Sequence, residues 1–114
     1  MTTATITTVE QVKAIVAEAT QAAYDAAIKH QTLHGERSMC GFAWVNIHDV
    51  KGNTKLGKLL KAAGVRQDYS KAFSIWNPSG LGTQCIDIKE AGADAAAQVF
   101  KSYGFVAYSG SRLD

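Results

Sequence analysis

The nine residues C-G-F-A-W-V-N-I-H, Cys40 to His48, alternate in a way that decides the fold class. In an extended strand successive side chains point to opposite faces. Phe42, Trp44, Asn46 and His48 then share one face, and Ala43, Val45 and Ile47 share the other. The small aliphatic face suits packing under helices. The second face carries two aromatics, an amide and an imidazole, so it must either be covered or bind something.

Outward from this strand the chain reads as alternating helices and strands. Upstream, Thr8 to Gln11 has the T-x-x-Q spacing of a capping box, with Thr7 to Glu10 as a second choice one residue earlier. From Val9 to about Lys29 the segment is rich in alanine, a strong helix former, with apolar residues at i, i+3 and i+4. Gly35 ends that helix or the turn after it. Downstream, Asn53 or Thr54 caps a second helix that buries Leu56, Leu59, Leu60 and Ala63 and stops at Gly64. The segment V-R-Q-D-Y-S-K links it to a strand at about 72–77, and N-P-S-G-L-G is a turn. A third strand is expected at about 83–88, T-Q-C-I-D-I, followed by a third helix with Asp87 as N-cap and Glu90 three residues on. That helix stops at Gly104, Phe105 to Ser109 forms a fourth strand, and residues 110–114 are a polar tail.

The expected architecture is therefore a single α+β domain. An N-terminal helix (residues 1–35) precedes a βαββαβ core (40–109) of the ferredoxin-like, split-βαβ kind, with a four-stranded antiparallel sheet. Strand parity puts Phe42, Trp44, Asn46, His48, Ser74, Trp76, Cys85, Asp87 and Tyr108 on the face opposite the helices. So many large aromatics exceed what a soluble monomer normally exposes. The plainest cover is the N-terminal helix folded across the sheet. The others are a second copy of the chain, stacked bases, or a gripped protein segment.

Charge narrows the choice. The 114 residues have a formal net charge of only +2. The excess is concentrated in residues 51–71, where Lys51, Lys55, Lys58, Lys61, Arg66 and Lys71 face a single acid, Asp68. Lys55, Lys58 and Lys61 recur every third residue and share the outside of the second helix. Such a ladder, with Lys51 and Arg66, can neutralise phosphates, and Trp44 or Trp76 can stack a base. A solvated helix face is the plain alternative. RNA-recognition motifs carry aromatics on the first and third strands of this fold; the expected third strand has none, which argues against that family.

Other chemistry is less well supported. His30 and His34 sit at i, i+4, but the H-E-x-x-H pattern is missing, and Cys40 and Cys85 lack C-x-x-C spacing. His48, Asp87, Cys85 and Ser74 could be drawn together as a nucleophile, base and acid, yet Asp87 has a simpler role as helix cap. No G-x-S-x-G, P-loop or dinucleotide-binding motif occurs. The chain therefore reads as a non-enzymatic binding protein without a cofactor. The N-terminus lacks a secretory pattern, and no stretch is long and apolar enough to span a membrane. The cysteines read as two reduced thiols rather than a Cys40–Cys85 disulfide, as a cytoplasmic compartment favours.

The segments C-G-F-A-W-V (40–45), K-G-N-T-K-L-G-K-L-L-K-A-A-G (51–64), W-N-P-S-G (76–80), K-E-A-G-A (89–93) and S-R-L-D (111–114) together resemble small proteins encoded by tailed bacteriophages. The likeness covers residues 40–114. It implies a bacterial host cytoplasm and roles such as nucleic-acid binding, host-factor inhibition or a minor virion part. Partners consistent with the whole reading are nucleic acid, a host or phage protein, or a second copy of the chain.

Overall fold

The computed structural model of the protein describes residues 2–36 and 39–114. A short 3-10 turn at Thr3–Thr5 leads into helix α1 (Val9–His34). Strand β1 (Gly41–His48), helix α2 (Lys55–Ala62), strands β2 (Arg66–Gln67) and β3 (Phe73–Trp76), helix α3 (Ile86–Ser102) and strand β4 (Val106–Leu113) follow. This is an α+β protein with an N-terminal helix and one four-stranded sheet. The strand order is β2-β3-β1-β4, and every neighbouring pair is antiparallel.

Local chemistry sets most of the boundaries. Thr8 accepts from the Gln11 backbone N–H while the Gln11 side chain accepts from Thr8, completing the expected capping box. The helix extends beyond Lys29 to His34, and Gly35 closes it at φ 70°. Thr54 is the N-cap of α2, accepting from the Gly57 N–H. The ends of α2 and α3 are alike. Val65 donates to the Leu60 carbonyl and Phe105 to the Phe100 carbonyl, across Gly64 and Gly104 at φ near +90°. Each is a Schellman end, with the expected apolar contact made in α3 by the Phe100 and Phe105 rings, 5.6 Å apart.

Three expectations fail, each for a physical reason. Residues 83–88 are not a strand: α3 begins at Ile86, with Cys85 at the N-cap position and Asp87 in the first turn. The alternation of Ile86 and Ile88 is the start of a helical stripe that continues through Gly92, Ala93, Ala96, Ala97 and Phe100. Cys85 and Asp87 are accordingly not on the sheet face. The segment expected to be only a link supplies β2, with Arg66 opposite Ser74. The polar tail is instead the end of β4, which pairs with β1 along its length from Val106 opposite His48 to Leu113 opposite Gly41. Its serines explain this, because Ser109 and Ser111 donate from the sheet's helix side to Asp94 and Glu90 of α3.

The core lies between the helices and the face of Ala43, Val45, Ile47, Phe73 and Ala107. α3 packs on β1 and β4, and α1 lies along α3. Val12, Ile15, Ala19 and Ala23 of α1 join the same cluster as Val45, Ile47 and Phe100. Alanines let α1 approach closely, and the element they approach is α3. The N-terminal helix does not cover the aromatic face of the sheet.

Candidate functional site

The sheet face turned away from the helices is the candidate site. Register brings Phe42, Trp44, Asn46 and His48 of β1 beside Trp76 and Ser74 of β3 on one side. Arg112, Gly110, Tyr108 and Val106 of β4 lie beside them on the other. Arg66 joins the same face through its pairing with Ser74. The two tryptophans sit on neighbouring central strands with ring centroids 4.9 Å apart and planes 31° from parallel. Phe42 meets Trp76 edge-on at 6.1 Å. Trp76 is 54% exposed and Tyr108 56%, so both present ring surface to solvent.

Gly110 is what lets Trp44 lie across the sheet. A Cβ at that position would stand 2.5 Å from the indole Nε1. The tryptophan therefore occupies the space that a side chain on β4 would fill. The guanidinium of Arg112 lies 5.5 Å from the Phe42 ring centre and 5.9 Å from that of Trp76. From the helix side Lys89, a buried residue, donates to the Gly41 carbonyl at 2.9 Å and comes within 5.2 Å of the Phe42 ring centre. At the other end of β1, His48 and Tyr108 are 5.6 Å apart, and the Lys101 ammonium stands 5.4 Å from the tyrosine ring centre.

Two concave spaces flank Trp76. One, about 460 Å³, is bordered by Trp44, Asn46, Tyr69, Ser74, Trp76 and Arg112. The second, about 450 Å³, is bordered by Arg66, Gln67, Asp68, Ser74 and Trp76. The side-chain oxygen of Asn46, Oδ1, is buried without a hydrogen-bond partner among the described residues. Leaving an acceptor so placed is costly, and it marks the floor of the first space as polar. The loop over this end is tied by Asp68. Its carboxylate accepts from the Ser70 hydroxyl at 2.6 Å, the Ser70 N–H at 2.8 Å and the Ala72 N–H at 3.1 Å. The Ser70 hydroxyl bond, with smaller contributions from the backbone donors, holds the Asp68 carboxyl below its ordinary range. Tyr69 at the loop's tip is 99% exposed.

The lysines lie elsewhere. Lys51, Lys55, Lys58 and Lys61 are all exposed. They belong to α2 and the turn before it, and α2 buries Leu60 in the core on the far side of the sheet. Of the five basic residues expected to act together, only Arg66 shares the aromatic face. Arg112 was missed because its segment read as a tail; its register opposite Phe42 is a product of the long β1–β4 pairing. The objection that the third strand carries no aromatic also lapses, since the third strand is Phe73–Trp76 and carries Trp76.

The other candidate groups do not assemble as a site. Cys85 lies by Cys40 at the start of β1. His48 is at the far end of that strand, roughly 25 Å away at the usual rise per residue. The His30 and His34 rings lie 4.6 Å apart on α1, tilted by 48°. No three His, Cys, Asp or Glu side chains gather as metal ligands would among the described residues. No helix among them is long and apolar enough to cross a membrane. Comparison with protein-family models, with curated proteins and with solved structures returns no match to this chain.

Proposed function

We propose that this protein binds single-stranded nucleic acid on the open face of its sheet. The observation that carries the reading is the Trp44–Trp76 pair, packed ring against ring across neighbouring central strands and bracketed by Arg112 and Arg66. Bases offer a π-face to such a platform whatever their sequence, and the guanidinium groups suit the phosphates between them. The lysines of α2 then act from the other layer as a long-range attraction rather than as contacts to the stacked bases.

The same reading treats the core as a ferredoxin-like, split-βαβ fold. In its favour, β1-α2-β2-β3-α3-β4 follow in that order and β3 lies between β1 and β2. It also treats the protein as a non-enzymatic, phage-type protein of the bacterial cytoplasm, in keeping with the resemblance of residues 40–114 to small phage proteins. A second reading has one specific observation behind it. β4 is an edge strand of eight residues that exposes Val106, Tyr108 and Leu113, a surface suited to a protein partner or a second copy.

The test is fluorescence anisotropy with labelled single-stranded DNA and RNA across a salt series, with tryptophan emission followed in parallel. Binding should quench tryptophan and weaken with salt. Trp76→Ala should weaken it roughly 5- to 150-fold, the worth of one stacked base. Reversing Lys55, Lys58 and Lys61 should flatten the salt slope while leaving the quench at saturation intact. No binding at low salt, with a light-scattering mass above the 12.2 kDa of one chain, would favour the second reading.

A further inference from the structure

Cys40 and Cys85 face one another outside the aromatic site. They are Cα partners in an antiparallel bridge that belongs to no named strand. The flanking bonds run from the Gly41 N–H to the Gln84 carbonyl at 3.0 Å and from the Ile86 N–H to the Met39 carbonyl at 2.9 Å. Because the bonds fall on either side of the pair, it is a non-hydrogen-bonded position, where partner Cα atoms approach to about 4.5 Å. That lies within the ~4.4–6.8 Å that a disulfide spans without backbone movement. Cys40 is exposed and Cys85 is buried, and both border a groove of about 540 Å³ with Glu36, Gly82, Thr83 and Gln84. The groove gives a small thiol reagent a route to the pair.

We propose that Cys40 and Cys85 form a reversible intramolecular disulfide by exchange with a low-molecular-weight disulfide such as oxidised glutathione. The Cys40 thiolate, on the exposed side, attacks a glutathione sulfur; the S–S bond of the reagent breaks and one glutathione thiolate leaves. The Cys85 thiolate then attacks the Cys40 sulfur and displaces the second glutathione thiolate. The cysteine pair loses two electrons, glutathione disulfide gains them, and the two thiol protons pass to the departing thiolates. The product joins the start of β1 to the N-terminus of α3 and closes the chain between them into a covalent ring. This conclusion stands on the bridge geometry and is independent of what the sheet binds.

The experiment incubates the purified chain with oxidised glutathione, then counts thiols and maps tryptic peptides without reduction. The expected product is a monomer in which peptides 38–51 and 72–89 are joined, with both thiols lost together. Its melting temperature should rise by on the order of 10 °C, since the ring restricts the unfolded chain. Dithiothreitol should reverse the shift, and Cys40→Ser, a surface change, should abolish it. A stable glutathione adduct on Cys40 with Cys85 still titrating overturns the proposal. So does a dimer linked through Cys40, or an unchanged count of two thiols.

Discussion

At the scale of residues the open face depends on one glycine and one amide. Gly110 leaves the space in which the Trp44 indole lies. Gly110→Ala should therefore destabilise the protein by roughly 1–3 kcal/mol, the cost of an overpacked contact, or turn the indole off the sheet. Urea unfolding reads the first outcome and tryptophan emission the second; no change in either would show that Trp44 does not need the space. Asn46 has the opposite character. Its buried side-chain oxygen, Oδ1, lacks a partner among the described residues, on the border of the space between the tryptophans and Arg112. Asn46→Leu, similar in shape, should raise stability by about 1 kcal/mol in urea unfolding because an unsatisfied acceptor is removed. A loss of stability instead would mean that the amide is satisfied in solution.

At the scale of elements the loop between β2 and β3 matters most, because it stands over the same face. Asp68 organises it through three bonds to Ser70 and Ala72. Its folded pKa is lowered, so its contribution is fully present above the ordinary carboxylate range and is lost as pH falls through the folded value. The stability gap between the parent and Asp68→Asn should accordingly be widest near neutral pH and close in acid. Urea midpoints from pH 6 downward test this, and a gap independent of pH would remove the carboxylate from the account. The two helix ends at Gly64 and Gly104 illustrate a different kind of element-scale rule. Both need a residue at positive φ, and glycine adopts it without the cost a side chain would add.

At the scale of the whole molecule α1 is part of the core. Val12, Ile15, Ala19 and Ala23 share one buried cluster with Ala96, Ala97 and Phe100, and Ala27 packs with Ile88, so a chain starting at residue 36 would open the core around α3. That truncation should lose cooperative thermal unfolding, read by circular dichroism. A sharp melt in the truncated chain would mean that residues 40–114 fold alone. Because α1 lies on the helix side, the aromatic face remains available for a ligand in the intact protein.

The amino-acid sequence by itself determined the three helices and all their ends except the start of α3, because those rest on local rules. The Thr8 box, the Thr54 cap and the glycine exits were legible from residues within a few positions of one another. The faces of β1 were legible too, since side-chain parity in a strand is local. Tertiary structure alone decided what crosses long stretches of chain. It set α1 on α3 rather than over the tryptophans, put Trp76 beside Trp44, and drew residues 110–113 into β4. It also separated the lysine ladder from the platform, leaving Arg66 and Arg112 beside the rings. Residues 83–88 show the physical reason. Over six residues Ile86 and Ile88 fit both a strand and the first turn of a helix, and only packing along the full stripe to Phe100 chooses between them.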